Sequence, residues 1–405
     1  MKMKKTIILI TTLSLIWASV ITASAGGSKN ALPGTDNYIS YISQNDMPQV
    51  VVAVIDSGVA EIDVLNGRLN DGYDFVDGDT DTTNDISSDS HGTFVAGIIA
   101  GITADMPVKI MPVRVLEDKN VSVENLVNGI YFAVDNGADI INLSIGGEIT
   151  DCSEIDKAIA YADENGIVVV ACAGNAKKEI KTYCPAHNES CITVSAVDEY
   201  GKFAKSFSNY GDAVDCCAPG VNISGYDANG ELTAHSGTSF SAPIISAACA
   251  LIKLANPDYS DEQIQDTLKS ICNDLGDYGK DKYYGYGLPD LNRLIPSSVS
   301  IAGYKESLKV GYYSTVTLHA EVDIPFSSQI KWFVNGEHYS SGETFTITEA
   351  DESFEVYFTV DDGKGYVIKS ETETVTVKTD FFSKLLAFFR LIFNNLPEWV
   401  DNVRQ

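Results

Sequence analysis

The chain has 405 residues, more than one domain usually holds, so two or three folded units are expected. Its formal net charge of −28 would repel nucleic-acid phosphates and anionic membrane surfaces, which excludes both as default partners of the protein body. Lys2, Lys4 and Lys5 precede an apolar run from Ile7 to about Val20, and Ala23-Ser24-Ala25 follows as a small-residue cleavage pattern. Residues 1–25 therefore read as a removable signal peptide. The alternative is an N-terminal membrane anchor, against which Thr11, Thr12 and Ser14 interrupt the apolar run. Export makes disulfides permissible for the eight cysteines.

After a short N-terminal segment, residues 26–49, the pattern from 50 to 295 alternates short β-branched runs with longer helical stretches, the signature of an α/β domain with a mostly parallel sheet and flanking helices. Val50 to Ile55, Ile140 to Leu143 and Ile167 to Val170 read as strands buried on both faces. Val123 to Asn136 and Ile155 to Asn165 have helical periodicity, and Asn165-Gly166 stops the second. Cys172, Cys216, Cys217 and Cys249 fall inside apolar runs and are expected as buried thiols. Cys152, Cys184 and Cys191 lie in loop-like sequence and are better candidates for bridges. No CxxC pair is present, so no spacing along the chain resembles a zinc site.

From about 300 to 378 the pattern becomes alternating polar and apolar residues separated by Asn335-Gly336 and Asp361-Asp362-Gly363, which predicts a small all-β sandwich. The run IKWFVNGE resembles bacterial immunoglobulin-like modules. In the tail, 380–405, Phe381, Phe382, Leu385, Leu386, Phe388, Phe389, Ile392 and Phe393 form a wide apolar helical face. It is too short to span a bilayer; capping the sandwich and attachment to a membrane interface or cell surface are the two readings.

The central domain carries the chemistry. Asp56 ends VVVAVID at the carboxyl edge of the expected sheet, where α/β sites form; His91 opens a helical stretch in SHGTFVAGIIAG; Ser239 lies in GTSFSAPIISAACALI, before a long apolar helix whose N-terminal amides favour negative charge. A carboxylate, an imidazole and a hydroxyl are the groups that nucleophilic acyl transfer needs. These three stretches resemble the aspartate, histidine and serine motifs of the subtilisin-like serine proteases, and they occur in that family's order. Ser144-Ile145-Gly146-Gly147 resembles the family's substrate-binding strand, and Ala173-Gly174-Asn175 its oxyanion-hole turn. SFSNYG, CCAPG and YYGYGLPDL also match family landmarks, so the resemblance spans roughly residues 50–295.

The resemblance implies a secreted endopeptidase acting on proteins or peptides without an organic cofactor, with Ser239 as nucleophile, His91 as base, Asp56 orienting it, and Asn175 with the Ser239 amide holding the oxyanion. Two other readings are a dedicated processing protease for a partner peptide and a catalytically silent surface-binding protein. Phe94 and Phe240 depart from the family's usual histidine and methionine at packing positions. The roughly 25 residues between the signal peptide and VVVAVID are too few for the usual folding-assistant prodomain. GYDFVDGDTDTTND gathers Asp74, Asp77, Asp79 and Asp81 in a turn-rich loop that resembles a calcium loop of thermitase-like relatives, with a plain acidic loop as the alternative. A second calcium loop common in the family is expected to be missing, because Gly101 to Val113 is short. A Cys152–Cys184 bridge would brace the cleft, with Cys184–Cys191 as its rival, and Tyr183 falls near the floor of the specificity pocket.

Overall fold

The computed structural model describes residues 31–43, 45, 47–83, 90–117, 120–295, 298–302, 308–323, 329–361 and 367–393; the signal-peptide reading and the end of the tail lie outside them. After helix α1 (Thr35–Ile42), strands β1 (Val50–Asp56), β2 (Tyr73–Asp74), β3 (Val108–Arg114), β4 (Ile140–Leu143), β5 (Val168–Cys172), β6 (Cys191–Val197) and β7 (Cys216–Pro219) build one sheet. Its order is β7-β6-β5-β4-β1-β3-β2, and every pairing is parallel. Interleaved along the chain are α2 (His91–Ile102), α3 (Val123–Asp135) and α4 (Ser153–Glu164); after the sheet comes a hairpin of β8 (Ile223–Tyr226) and β9 (Leu232–His235), then α5 (Thr238–Ala255) and α6 (Asp261–Ser270).

Strand side chains alternate faces, so β1 feeds two cores at once. Val50, Val52 and Val54 join the core under α1, α2, α5 and α6, while Val51, Ala53 and Ile55 join the one under α3 and α4. That division explains why β1 reads as an unbroken apolar run. Helix starts follow the local chemistry: the Ser122 hydroxyl accepts the Asn125 amide 2.9 Å away at the head of α3, and Ser260 with Gln263 forms a reciprocal capping box on α6.

Because all seven strands run the same way, their carboxyl ends lie along one edge. Register sets Val52 opposite Ile140 and Ile140 opposite Val168, so Asp56, the segment after Leu143 and the turn after Cys172 leave the sheet side by side. The fold thereby assembles three distant stretches of sequence before any side chain is considered.

The strands after residue 295 form a third, separate core. A three-stranded sheet (Ser298–Ala302, Ser314–Asp323, Thr344–Ala350) and a six-stranded sheet including Gln329–Val334, Phe354–Asp361 and Glu373–Lys378 share one apolar cluster around buried Trp332, Phe345 and Phe358. The Trp332 indole donates to the Gly342 carbonyl at 2.9 Å, satisfying its one polar atom. Helix α7 (Phe381–Phe393) follows, with Phe381, Phe382 and Phe388 exposed.

Cysteine placement corrects one expectation and supports another. Cys191 is not in a loop: it opens β6 and is buried as a thiol. Cys184 instead bridges Cys152, with Cα atoms 6.3 Å apart. Cys172, Cys216, Cys217 and Cys249 are buried thiols, as their apolar settings suggested.

Candidate active site

Asp56 is fully buried at the end of β1, and its Oδ1 lies 2.8 Å from His91 Nδ1 and accepts the Ser57 amide at 2.8 Å. An ionised carboxylate only accepts hydrogen bonds, so the imidazole carries its hydrogen on Nδ1 and presents a lone pair at Nε2. The first turn of α2 is seated against the end of β1: the Ser57 hydroxyl accepts the Gly92 amide at 2.9 Å, and the Thr93 hydroxyl accepts the Ala60 amide at 2.9 Å. A Cβ on residue 92 would lie 2.1 Å from the Gly58 carbonyl oxygen, so only glycine lets the helix approach this closely.

Ser239 is the second residue of α5 and is 8 % exposed. The sequence had placed it just before the helix; it sits inside the first turn, where the unpaired amides and helix dipole favour negative charge. The adjacent Phe240 ring is 5.7 Å from the His91 ring and 4.9 Å from Phe94, which joins the starts of α2 and α5. Phe94 and Phe240, the two departures from the family pattern, are thus one packing unit.

The carbonyl of Ser239 has no helical partner, because the residue four positions on is Pro243, which lacks an N–H. Ser144 fills that role: its hydroxyl donates to the Ser239 carbonyl oxygen at 2.7 Å. Ser144 in turn accepts from Asn142 Nδ2 at 2.9 Å, and the Ser246 hydroxyl donates to Asn142 Oδ1 at 2.9 Å. All four groups are buried, so a satisfied polar chain fixes the Ser239 backbone to β4.

Asn175 is exposed at the turn after β5, and its Oδ1 accepts from both the Thr238 amide at 2.9 Å and the Thr238 hydroxyl at 3.1 Å. With the oxygen occupied, the Nδ2 end is left to donate outward. The Gly174 amide donates to Thr238 Oγ1 at 2.9 Å. Beneath the turn, buried Asn209 donates to the Ala173 carbonyl and accepts from the amides of Ala176 and Lys178. Thr238, Asn209, Asn142 and Ser246 were not foreseen. The signal at Asn142 and Ser246 was a polar residue inside an otherwise apolar run, whereas Thr238 and Asn209 lie within the GTSFSAP and SFSNYG stretches.

Cys172 lies beside Ser239 and Thr238; burial pushes its thiol up to about 11, opposed by hydrogen bonds to those two side chains. It stays protonated at neutral pH and does not compete as a nucleophile.

Buried Ser144 and Ile145 lead into Gly146 and Gly147, and Gly147 pairs with Cys184 in a two-residue antiparallel ladder. Tyr183 fills the space between the two glycine-containing segments. Its hydroxyl donates to the Gly146 carbonyl at 3.1 Å, and a Cβ at Gly174 would lie 2.4 Å from its ring. Burial pushes the Tyr183 phenol up to about 12, so it remains a donor.

Asp74 is buried and, together with Asp77, converges on the guanidinium of buried Arg114. Asp74 Oδ1 also accepts the Val76 and Asp77 amides, and Asp79 and Asp81 each accept backbone amides in exposed turns. The four carboxylates do not draw together within 4.8 Å of one another. Arg114 thus supplies the positive charge at Asp74.

An oriented imidazole, a serine at a helix start and an exposed amide donor on one sheet edge can together perform acyl transfer. Residues 48–287, more than half of the chain, match the subtilase family. The chain is similar to a thermophilic serine proteinase of Bacillus sp. (strain AK1), 38 % identical over 249 residues, which are 58 % of this chain and 59 % of that protein. It is also similar to Subtilisin NAT of Bacillus subtilis subsp. natto, 37 % identical over 252 residues, covering 59 % of this chain and 64 % of that one. The match therefore spans about three fifths of each relative's length. Among solved structures, a protease from Pseudoalteromonas arctica superposes with a TM-score of 0.57 at 28 % identity, covering 66 % of this chain and 95 % of that one.

Proposed function

Because the chain belongs to the subtilase family, we propose that it is an exported serine endopeptidase that hydrolyses peptide bonds through an acyl-enzyme on Ser239. The observation that carries this reading is the 2.8 Å contact between Asp56 Oδ1 and His91 Nδ1 at the edge where α5 delivers Ser239. His91 Nε2 takes the proton of the Ser239 hydroxyl as its Oγ attacks the scissile carbonyl. Asp56 stabilises the imidazolium, which then returns that proton to the leaving amine. A water molecule, deprotonated by the same nitrogen, cleaves the ester and restores Ser239. Asn175 Nδ2 and the Ser239 amide hold the oxyanion of both tetrahedral intermediates.

Peptide-hydrolysis kinetics test the assignment. Ser239→Ala and His91→Ala abolish turnover, and Asn175→Ala lowers kcat by about 10²–10³ with little change in KM, the loss found for subtilisin's own oxyanion asparagine. Unchanged turnover in Ser239→Ala would contradict the proposal.

Tyr183 narrows the pocket between Gly146 and Gly174, so the preferred residue before the scissile bond is small. Tyr183→Gly shifts preference toward large apolar residues by roughly 10-fold or more, since pocket volume discriminates on that scale. A preference unchanged by the substitution would remove Tyr183 from the pocket.

Calcium is proposed for the acidic loop through the carboxylates of Asp79 and Asp81, with Asp74 and Asp77 left to Arg114. Melting scans in calcium and in chelator test it: a rise of several degrees supports the ion, and identical curves reject it. In the same assay Arg114→Met costs about 3–5 kcal/mol, because Asp74 is then a buried charge without its counter-charge.

Surface attachment is proposed for α7, whose exposed Phe381, Phe382 and Phe388 suit a bilayer interface. The full chain then floats with phosphatidylcholine vesicles, and a chain ending at 379 does not; equal behaviour of the two would exclude attachment through α7.

A further inference from the structure

No CxxC spacing marks a zinc site in the sequence, yet the fold gathers one set of soft ligands from positions 32 residues apart. Among the described residues, one group of His, Cys, Asp or Glu side chains has its ligand atoms within 4.8 Å of one another: Cys152, Cys184 and His187. Cys152 stands at the head of α4, and Cys184 lies on the two-residue ladder with Gly147, so the group ties a helix start to the wall of the substrate cleft. His187 is fixed by its amide, which donates to the Tyr183 carbonyl at 3.0 Å.

The imidazole is oriented as a metal ligand is. Its Nε2 lies 3.4 Å from Asp156 Oδ1, and that carboxylate is itself held by Asn188 Nδ2 at 2.7 Å. Its Nδ1 is buried and has no hydrogen-bond partner among the described residues. A carboxylate on one ring nitrogen selects the tautomer whose other nitrogen is a lone-pair donor, which is how outer carboxylates set metal-binding histidines. A buried nitrogen without a partner is costly in a purely structural histidine, and a metal ion would satisfy it.

We propose that, when the Cys152–Cys184 disulfide is reduced, the two sulfurs and His187 Nδ1 form a zinc site, with water in the fourth position and Asp156 behind the histidine. Two equivalents of a small-molecule thiol supply two electrons and two protons to the disulfide and leave as their own disulfide. Zn²⁺ then replaces the two thiol protons, which pass to water. The Cα separation of 6.3 Å suits a disulfide, and side-chain rotation opens the sulfurs to the roughly 3.8 Å that two Zn–S bonds of about 2.3 Å require at a tetrahedral centre. The half-buried Cys152 leaves the fourth position open to solvent. The site keeps α4 tied to the cleft wall under reducing conditions, where the disulfide alone would let go. None of these residues takes part in the proposed catalysis, so the inference stands or falls separately.

The test uses the full chain, reduced with a phosphine and titrated with Co²⁺ and then Zn²⁺, with circular dichroism reporting the fold. The wild type is expected to bind one Co²⁺ with a thiolate-to-cobalt charge-transfer band that Zn²⁺ removes. The band is absent in Cys152→Ser/Cys184→Ser, which retains the six other thiols. Asp156→Asn weakens binding by roughly 10- to 100-fold, and His187→Ala by at least as much, although both keep every cysteine. Unfolding of the reduced wild type, absence of the band, its survival in the double serine variant, or wild-type affinity in His187→Ala would each overturn the proposal.

Discussion

The contact between the buried Asp56 carboxylate and His91 Nδ1 is the interaction on which the arrangement of the site depends. It joins the end of β1 to the first turn of α2, and the close fit at Gly92 allows those two elements to meet without intervening side chains. A carboxylate with no exposure is tolerable only where it is hydrogen-bonded, so the imidazole and the Ser57 amide are structural requirements of Asp56 as well as chemical ones. Orientation of the ring and stability of the strand end are thereby coupled.

The same logic recurs around Ser239. Proline at 243 frees the Ser239 carbonyl from the helix, and the Ser246–Asn142–Ser144 chain occupies it. Thr238 is hydrogen-bonded to Asn175 and Gly174, and Asn209 pins the turn from below. Around Ser239 the polar groups are held by others that are themselves hydrogen-bonded, which is how a site is kept in place before substrate arrives, whereas Asp56 Oδ2 is buried without a hydrogen-bond partner among the described residues.

Much of this was legible in the sequence, for identifiable reasons. The apolar run of β1 and the helix-stop at Asn165-Gly166 are local signals, and both elements formed where they pointed. The Asp56, His91 and Ser239 stretches carry short-range constraints such as Gly92 and Pro243 that survive as motifs. What was not legible depends on distance in three dimensions. Arg114 reaches Asp74 and Asp77 across 40 and 37 residues, a pairing that no local signal in the acidic loop announces. Ser246 bonds Asn142 across 104 residues, and no periodicity links them. Cys191 was misjudged because its flanks look polar on one side only; the strand it opens is buried throughout. The approach of Cys152 to Cys184 is legible in the sequence, whereas the imidazole of His187 beside them is not, because only the fold brings it to the two sulfurs.

The central claim is that Asp56 and His91 activate Ser239, and covalent labelling by a fluorophosphonate with mass-spectrometric mapping tests it most directly. The account predicts a single adduct on Ser239 in the folded wild-type chain and none in His91→Ala. A folded wild-type chain that takes no label, or a His91→Ala variant labelled at the wild-type rate, would contradict it.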